Sequence, residues 1–230
     1  MKKRIKFLGL SALILISLLN FNGFVRASSI VLYPIDDSFV DSSEPDRNRG
    51  NYRFLNSGQW MGEDREMQAF IAFNFSSVSS EWTKVKLSLT YWLTIKTVDV
   101  DIVRIMEEWD EDTITWNNMP NHGTKILTMT VEASTETTKI LDLSSHLEAD
   151  FYYNREVFSI CIYMPVNQGV IVGAISKEYV EYPSEKWPQL IFSSQSLQIS
   201  SFPLWVLLIS MILSMTGLVV YFKQKKCLHY

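Results

Sequence analysis

The stretch KVKLSLTYWLTIKTVDVDIVRI (Lys84–Ile105) decides the fold. In its first half Val85, Leu87, Leu89, Tyr91 and Leu93 fall on one face of an extended chain, while Lys84, Lys86, Ser88 and Thr90 fall on the other. A period of two with β-branched and aromatic residues is the mark of a half-buried strand. VDVDIVRI (98–105) repeats the pattern after a short break. Outward from this pair lie further strand-like runs: IVLYPI (30–35), MQAFIAFNF (67–75), TITW (113–116), ILTMTVEA (126–133), VFSICIYMP (157–165), VIVGAIS (170–176) and QLIFSS (189–194). Many short strands with turn residues between them predict an all-β antiparallel sandwich or barrel rather than a parallel sheet. One short helix is expected after Ser145, which with Glu148 makes a capping-box pattern.

The two ends of the 230-residue chain read differently. Residues 1–27 combine a basic start (Lys2, Lys3, Arg4, Lys6) with an apolar run from Phe7 to Leu19, as a secretory signal peptide does. From Phe202 to Phe222 there is no charged residue, a length that crosses a bilayer as one helix. Lys223, Lys225 and Lys226 follow, and the positive-inside rule places the tail 223–230 in the cytoplasm. The expected order is signal peptide (1–27), ectodomain (28–192), polar stalk (193–201), transmembrane helix (202–222) and tail. That order predicts a single-pass plasma-membrane protein whose domain faces outside.

Removing the ends leaves 13 Lys+Arg against 25 Asp+Glu between residues 28 and 200, a net charge of −12. So acidic a body repels phosphate backbones, which argues against a nucleic-acid partner. Cys161 stands alone in the ectodomain, across the membrane from Cys227, so stability rests on the core and not on a disulfide. Cys161 in FSICIYM reads as a small buried hydrophobe, and the juxtamembrane Cys227 as no more than a lone lipidation candidate. The acids of EEWDED (107–112) lie next to one another and so face alternately; His122, His146 and His229 are scattered. No nucleophile-elbow or metalloprotease string occurs, and a non-catalytic protein is expected.

The motifs DDSFVDSSEPDRNRG, QAFIAFNFS, WDEDTITWNNMP and AISKEYVEYPSEKWPQL occur in that order. The string resembles the DNRLRE-domain family, also classed as carbohydrate-binding module family 96. The opening turn of that family is matched by Asp37, Val40, Pro45, Asn48 and Gly50. Its most specific string, W-x-E-x-T-x-T-W-x-N-x-P, is matched by Trp109, Glu111, Thr113, Thr115, Trp116, Asn118 and Pro120, and the closing string by Ser176, Lys177, Glu178, Pro188 and Leu190. The DNRLRE string itself is missing, the helix carries LeuGluAla at 147–149, and Asn74 replaces an acid, creating a glycosylation sequon with Ser76. The resemblance implies a jelly-roll β-sandwich, with polysaccharide binding in some members, uronate polymers among them.

Candidate contact residues follow from side-chain chemistry. Arg47, Arg49 and Arg53 form a basic cluster suited to carboxylates of an acidic polysaccharide, or else neutralise Asp41, Glu44 and Asp46. Of seven tryptophans, Trp60, Trp82, Trp109 and Trp187 flank turns and suit a sugar platform, whereas Trp92 and Trp116 are expected to fill the core. Asp36, Asp37 and Asp41 offer oxygen ligands for a structural calcium ion, without the regular spacing of a calcium loop. No other cofactor is expected. Two functions stay open: a membrane-anchored surface module that binds a glycan, and a structural or adhesive surface protein with a protein partner.

Overall fold

The alternation at Lys84–Thr94 is realised as the strand around which the others gather. The computed structural model describes residues 25–60, 64–78, 82–147, 155–165 and 168–197. The expected transmembrane helix, the cytoplasmic tail, most of the signal segment and Glu148 lie outside them. Among the described residues no helix is long and apolar enough to cross a membrane. Ser28–Ser194 is a compact unit.

Among the described residues eleven strands form one continuous sheet. They are β1 (Val25–Leu32), β2 (Asp36–Asp41), β3 (Phe54–Gln59), β4 (Glu66–Asn74), β5 (Lys84–Thr94), β6 (Val98–Ile105), β7 (His122–Val131), β8 (Ser134–Asp142), β9 (Val157–Tyr163), β10 (Val170–Ile175) and β11 (Gln189–Leu197). One run is β2-β4-β9-β6-β7; the other places β8 on one side of β5, with β11, β10 and β3 on its far side. Strands β3 and β4 join the runs through Gly58↔Met67 and Gln59↔Glu66. The sheet curls so that both runs line one core. Phe39, Ile71, Phe73, Ile102, Val131, Phe158 and Ile160 of the first run share it with Leu55, Val85, Leu87, Leu89, Tyr91, Val172 and Phe192 of the second. The Ser57 hydroxyl also donates to the Ile162 carbonyl at 2.8 Å, from β3 to β9.

Four features depart from the sequence reading. TITW is not a strand: residues 111–118 form turns, and side chains supply the hydrogen bonds a ladder would otherwise make. Strands β2, β3 and β8 carry too many polar residues to have been read as strands. In β2 the acids Asp37 and Asp41 are themselves buried, and β8 is an edge strand paired with β5 alone. The helical turn over residues 144–147 is capped by Asp142, whose Oδ1 accepts from the Ser144 amide at 3.0 Å. Finally, Trp92 is 41% exposed, not core, and Trp116 is only half-buried. Trp92 shares the parity of Lys86, Ser88 and Thr90, so the outer face of β5 is where alternation puts it.

Gly58 sits where the sheet turns from one run to the other, pairing with Ile171 of β10 and Met67 of β4. Its φ of 124° is open to glycine alone, and a Cβ there would meet the Val170 carbonyl and the Met164 sulfur. Gly58→Ala is expected to lower stability by roughly 2 kcal/mol or more in chemical denaturation. An unchanged unfolding midpoint would show that the corner tolerates a side chain.

Candidate functional site

The loop Trp109–Pro120 is a tied corner. The Trp109 indole N–H donates to Ser159 Oγ at 2.7 Å, and its ring meets Phe70 edge-on at 5.8 Å. With Trp116 and Met119 it packs on a second apolar cluster of Val40, Phe70, Val103, Ile105, Ile114 and Cys161. Asn48 donates to the carbonyls of Glu111 at 2.5 Å and Ile114 at 2.9 Å, which holds the opening turn against this loop. Asn118 closes the loop on itself, accepting from the Thr115 amide at 2.6 Å and donating to the Thr113 carbonyl at 2.9 Å. Gly50 leaves room for the contact, since a Cβ there would stand 2.5 Å from the Glu111 carbonyl oxygen.

Carboxylates meet beneath this corner. Oxygens of Asp37, Glu111 and Glu178 lie within 4.8 Å of one another. The Asp37 amide donates to Glu111 Oε2 at 2.9 Å, while the Asp37 carboxylate accepts from Ser176 Oγ and the Lys177 amide, both at 2.9 Å. Three such oxygens offer a hard cation part of its shell. The Lys177 ammonium, however, bonds Glu111, and Glu178 at 2.9 Å, so the place has a resident positive charge. A metal ion would have to displace it. Burial alone would depress Lys177, but its bonds to Glu111 and Glu178 raise it above the usual lysine value. Burial pushes Asp37 up to about 6, against the opposing Lys177 amide, the Lys177 charge and Ser176.

The remaining candidates are dispersed. Burial and then the charge of Glu111 raise Asp36, which lies half-buried on the wall of an acidic groove of about 440 Å³ with Glu107, Glu108, Trp109, Arg155 and Glu156. Buried Asp41 belongs elsewhere, paired with Arg49 at 2.9 Å and Arg65 at 2.6 Å. Burial raises its pKa, but Arg65 and Ser43 more than compensate, and the net shift is downward. Arg49 is buried, bonds Asp41 and Glu44, and lies 5.1 Å over the rings of Phe39 and Tyr52. Arg47 pairs with Glu44 at 2.9 Å and donates to the Tyr52 hydroxyl at 2.6 Å. Arg53 pairs with Glu181 at 2.9 Å, 5.2 Å over Tyr179. Arg47 and Arg49 therefore meet on Glu44 and the Tyr52 ring, while Arg53 is engaged with Glu181 and Tyr179. Trp82 and Trp187 are half-buried against Phe192 and Tyr33. Asn74 ends β4 exposed, its Oδ1 accepting from the Ser76 amide at 2.9 Å. Cys161 has a neighbour that its place in the sequence did not suggest: His122 Nε2 is 3.6 Å from its sulfur. That nitrogen faces Gln68 Oε1 at 2.7 Å and so carries its proton there. Burial holds the thiol well above its ordinary range.

Trp60 stands apart. It is 53% exposed and shares an open groove of about 570 Å³ with Trp92. The groove lies on the outer face of the β3-β10-β5 run, lined also by Phe54, Asn56, Ile95 and Gly173. Strand parity builds it: Phe54, Asn56 and Trp92 alternate with Leu55 and Tyr91, which enter the core, and the half-buried Ile171 lines the groove while it also packs against that core. Segment 176–188 buttresses one end, with Tyr182 edge-on to Trp92 at 5.6 Å and Tyr179 edge-on to Phe54 at 5.3 Å. Gly173 keeps the floor low, since a Cβ would press on Asn56 Oδ1 at 2.9 Å. Two exposed indoles flanking an apolar floor with a single amide are suited to the alternating C–H and hydroxyl surface of a sugar.

The profile of carbohydrate-binding module family 96 matches residues 28–193. The chain belongs to that family. No curated protein matches it. Among solved structures it is similar to a family 36 carbohydrate-binding module in complex with calcium and xylotriose, at 11% identity and a TM-score of 0.29, covering 68% of this chain and 99% of that one. It is also similar to an exo-β-1,3-galactanase from Phanerochaete chrysosporium with β-1,3-galactotriose, at 10% identity and a TM-score of 0.29, covering 72% of this chain and 29% of that one.

In this family 96 module Asp37, Asn48, Gly50, Trp109, Glu111, Asn118 and Lys177 of the specific strings bond one another or the core, and none of them is among the described residues that line the indole groove. Sequence reading singled out Trp60 but missed Trp92, although the parity of β5 marked it. Two outcomes test the corner. Lys177→Met leaves three carboxylates facing one another, so it is expected to cost roughly 3 kcal/mol and to show a larger melting response to added calcium than the native chain does. The second concerns Asp37, whose folded pKa of about 6 exceeds the unfolded value. Its proton is therefore bound more tightly in the folded state, and its contribution to stability falls as pH rises from about 4 to about 6. Relative to the native chain, Asp37→Asn should gain about 2 kcal/mol across that window in denaturant midpoints. A constant difference between the two proteins would place the Asp37 pKa in the ordinary range.

Proposed function

We propose that this family 96 module is a non-catalytic, membrane-anchored surface protein that binds carbohydrate in the Trp60–Trp92 groove. The observation that carries the reading is the pair of indoles, 53% and 41% exposed, that line one groove on a sheet face. Leaving large apolar rings in water costs free energy that a purely structural sheet face avoids, and concave apolar patches of this kind mark ligand sites. Asn56 supplies the donor and acceptor that would orient a ring hydroxyl. The jelly-roll description and the binding role both draw support from the family. The anchor is supported by the uncharged stretch 202–222 and the lysines that follow it, so the domain would be displayed outside the plasma membrane, with Asn74 open to glycosylation.

The full-length protein in detergent, titrated by calorimetry against a panel of soluble polysaccharides, tests the site. Trp60→Ala and Trp92→Ala are each expected to weaken binding by about tenfold or more, about 1.4 kcal/mol. Trp60→Ala should keep the native melting temperature. Binding that survives both substitutions would move the site off this groove.

A further inference from the structure

We infer that a second groove, on the outer face of the β2-β4-β9-β6 run, docks a segment of a partner protein in which basic and apolar side chains alternate. It shares no described lining residue with the indole groove. Its floor is one register row across four strands: Asp36 pairs with Ala72, Ala72 with Ser159, and Ser159 with Ile105. Ala72 and Ser159 are small, so the middle of the row lies low in a space of about 440 Å³. Ile35, Met106 and Val157 line the same space and are 45%, 51% and 41% exposed. Large apolar side chains held together in water cost free energy that burial under a partner recovers.

Charge says what kind of partner fits. Asp36 ends the row, and the exposed Glu107, Glu108 and Glu156 stand among the apolar three. Asn121 donates to Glu107 from its side chain at 2.8 Å and from its amide at 3.2 Å, which holds that carboxyl ionised below its usual range. The sequence over residues 148–156 brings three acids and one base, Arg155. Arg155 makes the kind of contact a partner would make: its Nη1 lies 3.6 Å from the Met106 sulfur within the groove. A lysine or arginine lays its methylene stem on apolar surface while its charge stays at a carboxylate. Ile35, Met106 and Val157 offer that surface, and the four acids offer the carboxylates. Met106, unbranched and polarizable, adapts to the apolar side chains between the basic ones. Opposite charge speeds the encounter and fixes its register.

Full-length protein in detergent is titrated with three labelled octapeptides: lysine alternating with leucine, lysine with serine, and glutamate with leucine. The lysine–leucine peptide should bind at least about tenfold more tightly than either of the others. Glu108→Gln with Glu156→Gln should weaken it by about tenfold, and Met106→Gln and Val157→Thr each by about threefold, all with native melting temperatures because these side chains are exposed. Removing two charges elsewhere, by Asp112→Asn with Glu185→Gln, should change it by less than about twofold. Equal weakening by that control pair, or lysine–serine binding as tight as lysine–leucine, reduces the effect to net charge and overturns the groove. Peptide binding that survives the glutamate pair and both apolar substitutions overturns it as well, as does the lack of any saturable binding. A chitosan oligosaccharide that binds as tightly and weakens in the same variants overturns the peptide class in favour of a cationic glycan. Trp60→Ala should leave peptide binding intact; its loss there would put the peptide in the indole groove and overturn the second site.

Discussion

Glu111 is the carboxylate on which the corner depends, because it is met by groups that lie far away in the chain. Its Oε2 accepts from the Asp37 amide, 74 residues earlier, and from the Lys177 ammonium, 66 residues later. Its own carbonyl accepts from Asn48. A half-buried carboxylate is stable when its lone pairs are filled, and here two segments remote in the chain arrive to fill them while a third holds the backbone beside it. The bond set thus fixes where β2 starts, where the turn after β10 goes and how the loop after β6 closes.

That arrangement explains why a segment with the composition of an active site does no chemistry in this reading. The acids and asparagines of Trp109–Pro120 bond backbone groups that irregular chain would otherwise leave unpaired. Lys177 supplies the positive charge that a metal would supply in the same place. The arginines balance acids on the same turn in the same manner. Polar groups committed to such networks have little left for a ligand, which directs attention to the sheet face that carries none of them.

The position of that face comes from parity in the strands. With Val85, Leu87, Leu89 and Tyr91 of β5 filling the core, the next even-numbered tryptophan must stand outside, and Gly173 and Asn56 across β10 and β3 give it an open floor. The expectation that Trp92 fills the core weighted residue type over period, and period won, whereas for Trp116 the strand period did not apply because TITW forms turns. Trp116, half-buried on the small cluster around Ile114, contributes less to stability than a fully enclosed indole would.

By itself the sequence determined the all-β class, the inward face of β5 and β6, the exposed Asn74, the family, and the charge of the body, because period, composition and a specific string are local properties. It also marked Trp60 beside a turn. Only the tertiary structure decided that β2, β3 and β8 are strands despite their polar residues, since their partners are far away in the chain. Only it decided that TITW is a turn, that Lys177 holds three acids together, and that Trp92 and Trp60 line one groove. Each of these rests on a contact between segments remote in sequence, and a one-dimensional pattern carries no record of which segments will meet.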